Sequence, residues 1–305
     1  MGERWLAIDV VVEEDEVDDV QAVMARWAGG AVAVEQMVDT AALDDFVPDG
    51  RCRLTAYLRD GAELPVTKYQ LFNALWMLGG GGSAGLRKSR ERWTEESEWM
   101  DQWKRFYRPL TIGRVGIVPV WDESEIPGAD VVVSLDPGQA FGTGLHVSTR
   151  QALLALQQCG VAGKRVLDLG TGSGILAIAA AGLGAVAIVG LDTDARAVDA
   201  ARKNVAANGQ EARIELGVGT LGAPGIEQYL VQPLDIVVAN IVVAVHCELA
   251  AHYPLPIAPG GHLILGGIVD DRAELVIAAM EDLPLKLAER ADEERWVNLV
   301  YTRTS

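Results

Sequence analysis

The chain has 305 residues, half of them hydrophobic, and carries 26 Lys and Arg against 43 Asp and Glu, a formal net charge of −17. That length exceeds one ordinary domain and suits two, and the apolar content excludes disorder as the main state. So acidic a chain is repelled by phosphate backbones, which argues against direct nucleic-acid binding and for a basic protein partner.

The charge is uneven. Residues 1–60 hold 14 acids and 5 bases, net −9, residues 61–110 hold 6 and 8, net +2, and residues 111–305 hold 23 and 13, net −10. The first block reads either as a solvated surface or as a docking face for a cationic partner. Cys52, Cys159 and Cys247 are far apart and form no CxxC, so neither a disulfide framework nor a metal site is expected. No apolar run reaches 18 residues and the N-terminus has no signal-peptide pattern, so the expectation is a cytoplasmic protein away from membranes.

In chain order, residues 4–12 read as a strand. Residues 16–28 place Val17, Val20, Val23, Met24 and Trp27 at helical spacing, with Gly29 and Gly30 as the stop. Strands follow at 31–36 and 52–58, a helix at 66–78, the glycine run 79–82 and a strand at 90–98. The order β-α-β-β-α-β predicts a small ferredoxin-like domain. Residues 97–108 read as a linker helix whose aromatics pack between domains and which Pro109 ends. Strands are predicted at 115–120 and 131–135.

From residue 150 the pattern alternates. Helices are predicted at 151–158, 175–183, 195–208 and 272–281. Apolar strands are predicted at 165–169, 187–191, 213–216, 236–239 and 263–265, and a closing hairpin at 285–289 and 296–302. Apolar strands between helices predict an α/β domain with a parallel, Rossmann-like sheet covered on both faces, and the hairpin adds an antiparallel edge.

The strongest motif is Asp168-Leu169-Gly170-Thr171-Gly172-Ser173-Gly174, between a strand and a helix. Glycines let the backbone turn tightly and approach a ligand closely. The dinucleotide fingerprint G-x-G-x-x-G/A fails here, because counting from Gly170 puts Ile175 at the third small position. A nicotinamide dinucleotide is therefore disfavoured. The next strand ends at Asp192, and an acid at that tip can accept two ribose hydroxyls. A glycine turn without a diphosphate grip, followed by a ribose acid, suits S-adenosylmethionine.

The sequence resembles the class I S-adenosylmethionine-dependent methyltransferases and, more closely, the PrmA family, methyltransferases of ribosomal protein L11. The matching residues are Leu135-Asp136-Pro137-Gly138-Gln139-Ala140-Phe141-Gly142-Thr143-Gly144 with His146 and Thr149, then Asp168 to Gly174, Asp192, and Ala239-Asn240-Ile241. The run Trp103-Lys104, Tyr107 to Leu110 and Ile112-Gly113 is similar too. Departures are Leu145, where the family often has Thr or His, and Val147-Ser148 before Thr149. The resemblance implies a substrate-recognition domain over 1–96, a linker helix over 97–110 and a cofactor-binding methyltransferase domain over 111–305. It places Thr149, Gly170, Asp192 and Asn240 on cofactor-binding positions, and Asp168 and Gly172 belong to the same motif.

The loop 136–149 reads as a lid, with Phe141 against the methionine tail or the reacting centre. The plainer reading is a connection whose Ser148 or Thr149 caps the next helix. His146 reads either as structural or as a catalytic residue near the substrate. Asn240 follows a strand at the carboxyl edge, where its amide oxygen can accept hydrogen bonds from an attacking amine, or it caps the following helix. Methyltransferases of planar amide or adenine nitrogens usually carry Asn/Asp-Pro-Pro-Tyr/Phe there. Asn240-Ile241-Val242 lacks the proline and the aromatic, which points to a flexible alkyl amine. The implied function is methylation of lysine side chains and the N-terminal amine of ribosomal protein L11. The alternatives are a lysine methyltransferase of another protein and a small-amine N-methyltransferase.

Overall fold

The computed structural model describes residues 4–13, 16–28, 32–38, 48–78, 89–95, 109–122, 126–136 and 146–304. The chain divides into two compact units, Met1–Tyr107 and Arg108–Ser305. The linker helix expected over 97–108, the glycine run 79–82 and residues 137–145 of the expected lid, Phe141 among them, lie outside the described residues. No described helix is long and apolar enough to cross a membrane.

The first unit runs β1 (Arg4–Glu13), α1 (Val17–Ala28), β2 (Ala33–Val38), β3 (Pro48–Arg59), α2 (Leu64–Leu78) and β4 (Arg90–Glu95). Its antiparallel sheet has the order β2-β3-β1-β4, which is the ferredoxin-like arrangement. Strand alternation builds its core. Leu6, Ile8, Val10 and Val12 of β1 share a face with Leu54, Ala56 and Leu58 of β3, and Met24 of α1 and Leu71 of α2 close over them.

The second unit opens with β5 (Leu110–Ile112), β6 (Val115–Pro119) and β7 (Val131–Leu135), a separate sheet in which β5 and β6 are antiparallel and β6 and β7 parallel. Leu110, the last residue of the expected 97–110 linker segment, starts β5. Then come α3 (Val147–Cys159), β8 (Arg165–Leu169), α4 (Ile175–Gly182), β9 (Ala187–Asp192), α5 (Ala195–Ala207), β10 (Ile214–Val218), β11 (Leu234–Asn240) and α6 (Val243–Leu249). The chain ends with β12 (Ile257–Val269), α7 (Ala273–Met280), β13 (Leu285–Glu293) and β14 (Trp296–Arg303). These strands form one seven-stranded sheet, β10-β9-β8-β11-β12-β14-β13. β8 to β12 pair in parallel, and β14 runs antiparallel to both its neighbours. The strand order reverses beside β8, which leaves a crevice at the carboxyl ends of β8, β9 and β11.

Two departures from the sequence pattern sit near that crevice. β12 is much longer than the predicted 263–265, and it carries an irregularity. Leu265 pairs with Leu299 and Ile268 with Val297, so Gly266 and Gly267 together oppose the single residue Asn298. That is a β-bulge, and Gly267 adopts the left-handed φ of 74° that suits glycine in one. Helix α6 was expected only as the helix following Asn240, without bounds. It is short, and its N-cap Val242 offers no side-chain cap.

The register decides which side chains meet. Val166, Ile236, Val238, Ile264 and Val300 pack on the α3 and α4 side of the sheet, whereas Leu167, Val237, Leu263, Leu265, Val297 and Leu299 pack on the other. Alternation therefore puts Asp168, Asn240, Gly266 and Asn298 on the α3 and α4 side, in four neighbouring strands.

Two asparagines, Asn204 on α5 and Asn208 at its C-terminal cap, tie this scaffold to the segment before α3. Asn204 Nδ2 donates to the Ser173 carbonyl and its Oδ1 accepts from the Asp136 N–H, each at 2.8 Å. Asn208 Oδ1 accepts from the Ser134 N–H at 2.8 Å and its Nδ2 donates to the Ser134 carbonyl at 2.6 Å. Asn204 is thus a buried strut between the glycine turn and the start of the expected lid. Asn204→Ala leaves a donor and an acceptor unpaired and is expected to cost about 1–3 kcal/mol in urea unfolding. A change within ~0.5 kcal/mol would show that the strut carries no load.

Candidate active site

The turn after β8 is built from its glycines. Gly170, Gly172 and Gly174 have φ values of 74°, 53° and 83°, all left-handed. A Cβ on Gly170 would run into the Ile241 Cγ2 methyl, so the turn and the segment after β11 touch where only hydrogen fits. The N–H groups of Gly170 and Thr171 donate to the Leu191 carbonyl at 2.8 and 3.0 Å, and this pins the turn to the end of β9.

Asp168 sits beneath the turn, fully buried. Its Oδ2 accepts from Thr171 Oγ1 at 2.8 Å and from the Ala177 N–H at 3.1 Å. Its Oδ1 is buried with no partner among the described residues. Burial pushes its carboxyl up to about 7, against the opposing pull of those two hydrogen bonds.

Asp192 closes the other side. Its Oδ2 accepts from the Gly172 N–H at 3.0 Å and its Oδ1 from the Asp194 N–H at 2.9 Å. Two backbone donors thus hold the carboxylate, and each oxygen retains a second lone pair for a hydroxyl. Asp194 has a different job: its Oδ1 accepts from the Arg196 N–H and caps α5.

Thr149 and Asn240 meet across the crevice, and Asn240 Nδ2 lies 3.3 Å from Thr149 Oγ1. Thr149 is fully buried, and Asn240 Oδ1 is buried without a partner among the described residues. Asn240 does not cap α6, and neither Ser148 nor Thr149 caps α3. His146 does, its Nδ1 accepting from the Ser148 N–H at 3.2 Å while its ring packs edge-on against Trp296 with centroids 4.5 Å apart. The structure therefore brings Asp168, Gly170, Gly172, Asp192, Asn240 and Thr149 to one carboxyl edge and engages His146 as a helix cap.

A family model described as ribosomal protein L11 methyltransferase (PrmA) matches residues 4–304. The chain belongs to that family. It is 37% identical to a ribosomal protein L11 methyltransferase of Chloroflexus aurantiacus, with 98% of each chain covered. It is 34% identical to one of Herpetosiphon aurantiacus, covering 98% of this chain and 99% of that one. Among solved structures, a ribosomal protein L11 methylase of Lactobacillus delbrueckii subsp. bulgaricus superposes with a TM-score of 0.60 at 29% identity, covering 65% of this chain and all of the other.

In this PrmA-family methyltransferase one buried group went unnoticed in the sequence. His246 of α6 is fully buried. Its Nε2 lies 2.8 Å from the Gly266 carbonyl and its Nδ1 2.8 Å from the Tyr253 hydroxyl. A carbonyl can only accept, so Nε2 carries the proton and Nδ1 accepts from Tyr253. The imidazole thereby grips the strand residue that pairs with Asn240. A lone histidine in a short helix gives no sequence signal of this, because its partners lie on other elements.

Burial pushes His246 down to about 4, although its backbone hydrogen bonds oppose this. The unfolded chain, with an ordinary value of about 6.5, binds the extra proton first. The stability this neutral imidazole contributes is complete above about pH 6.5 and is lost as pH falls toward 4. The loss amounts to roughly 3 kcal/mol at the bottom of the window. Urea unfolding at pH 7, 6, 5 and 4 tests this. The decline is expected to be visibly shallower in His246→Asn, and parallel profiles for the two proteins would contradict it.

Proposed function

We propose that this chain transfers methyl groups from S-adenosylmethionine to amino groups of ribosomal protein L11, namely lysine side chains and the N-terminal amine. The single observation that carries the reading is the pairing of the Gly170–Gly174 turn with the Asp192 carboxylate at one crevice. The relatives' names supply the acceptor, L11.

The residues fit the cofactor by their chemistry. Asp192 presents two oriented oxygens suited to the two ribose hydroxyls. Asp168 Oδ1, a buried acceptor with no partner among the described residues, matches an ammonium such as that of a methionine tail. Thr149 and Gly172 line the same edge, and Phe141 belongs to the loop proposed to close over it. When bound, the cofactor supplies an activated methyl on a sulfonium.

The protein's own work is alignment and exclusion of water. At pH 7 only about one lysine amine in 2,500 is neutral, and only the neutral amine has a lone pair to attack with. Asn240 Oδ1 and Thr149 Oγ1 are neutral acceptors that receive the amine's N–H groups, so that its lone pair faces the methyl. No planar stacking residue follows Asn240, in keeping with a flexible alkyl amine. The acidic first 60 residues, net −9, suit a basic protein surface. The first unit is the proposed recognition module. The proposed setting is the cytoplasm, without direct nucleic-acid contact.

Labelled cofactor incubated with purified L11 tests the whole reading. Label on L11 lysines and its N-terminus is expected, and an unlabelled L11 under conditions where cofactor binds would contradict it. Asp192→Ala is expected to weaken cofactor binding about 10- to 100-fold, through the loss of charged hydrogen bonds of about 1.5–3 kcal/mol. Asn240→Ala is expected to lower kcat by more than it raises the cofactor Kd. Calorimetry and steady-state rates measure the two effects, and the reverse ordering would contradict the assignment.

A further inference from the structure

Resting on the reading of Asn240 as the amine-receiving group, we propose that Asn298 is a positioning residue that holds the Asn240 carboxamide in its working orientation, across the hydrogen-only side of Gly266. Asn298 lies on β14, directly opposite the Gly266–Gly267 bulge of β12. Gly266 in turn pairs with Asn240 on β11. Alternation puts all three on the α3 side of the sheet.

The two carboxamides flank one spot. A Cβ built on Gly266 would lie 3.0 Å from Asn240 Oδ1 and 3.2 Å from Asn298 Nδ2. Among the described residues the first atom, a buried acceptor, and the second, a buried donor, have no partner. Asn298 is only 2% exposed, so water does not serve its amide freely. The two atoms make no direct hydrogen bond with each other, and an unmatched buried donor and acceptor on either side of one glycine are a costly arrangement unless one bridging water or a small side-chain rotation lets them serve each other. The match also has a sense. With Asn240 Nδ2 on Thr149, its oxygen faces the Asn298 NH2, and turning the amide over would set NH2 against NH2. Asn298 thus selects which end of Asn240 faces β12.

The surroundings hold Asn298 firmly enough for this. Gln151 of α3 donates to the Trp296 carbonyl at 3.2 Å, two residues before Asn298. The Trp296 ring packs on His146. The bulge itself is held from the opposite face by His246 on the Gly266 carbonyl. A bulge that re-aims side chains beside a reacting centre is a recurrent device. Here the side chain opposite the bulge acts on the amine-receiving group through another residue and touches no reacting atom.

The test uses the full-length protein. Asn298→Leu keeps the branched shape and the number of heavy atoms, with bulkier methyl ends, and removes the donor. It is expected to keep the melting midpoint needed for a folded enzyme and to leave the cofactor Kd within about twofold. It is expected to lower kcat for L11 methylation about 10-fold. In an Asn240→Ala background the same change is expected to cost under about twofold, because the two residues act through one contact. Should Asn298→Leu fail to fold, Gly266→Ala wedges a methyl between the amides without removing either, and the same loss is expected. An undiminished cost in the Asn240→Ala background, or equal loss of kcat and cofactor affinity, would overturn the inference alone. A fully active Asn240→Ala would overturn the reading of the site and this inference with it. A crystal structure of Asn298→Leu needs no acceptor protein. A turned or split Asn240 carboxamide is expected there, and an unchanged one, still 3.3 Å from Thr149, overturns the proposal.

Discussion

Side chains of a strand alternate between two faces, and neighbouring strands in fixed register cannot choose their faces independently. That constraint builds this site. β8, β11, β12 and β14 lie side by side, and their apolar residues commit each face to a core. Asp168, Asn240, Gly266 and Asn298 are then carried together to the α3 and α4 side without any of them being near another in sequence. A one-residue slip in β8, β11 or β14 would turn its polar residue toward the opposite core.

Burying polar groups in this way is unfavourable unless each finds a partner. Most do. Asn204 and Asn208 satisfy four backbone groups between them, and His246 is matched at both ring nitrogens. Among the described residues, Asp168 Oδ1 and Asn240 Oδ1 are left unmatched at the carboxyl edge, and Asn298 Nδ2, Gln151 Oε1, Arg165 Nε, Arg303 Nε and the Tyr301 hydroxyl are unmatched elsewhere in the second unit. The two unmatched acceptors at the edge are what a ligand carrying donors would meet.

The sequence made the local features legible. The strand, glycine turn and helix around Gly170–Gly174 are contiguous, and Asp192 ends the very next strand, so pattern and spacing sufficed. The ferredoxin-like sheet order followed from element order alone. What stayed hidden was non-local. Asn204 reads as an ordinary helix residue because its partners, Asp136 and Ser173, lie far away in the chain. Asn298 sits in an apolar run like any tolerated polar residue, and only the pairing of β12 with β14 sets it opposite a bulge. Pro259, Gly260 and Gly261 punctuate β12 and conceal its length. His146, read as structural or as near the substrate, stands one position before α3 and serves as its cap, since an imidazole nitrogen can accept an N–H just as a hydroxyl can.

The measurement that bears most directly on this account is a crystal structure with S-adenosylhomocysteine, the demethylated product. The account predicts the ribose hydroxyls on both Asp192 oxygens, the nucleoside against the Gly170–Gly172 backbone and the sulfur facing Asn240 and Thr149. A nucleoside bound elsewhere, with the Asp192 carboxylate contacting only Gly172 and Asp194, would contradict it.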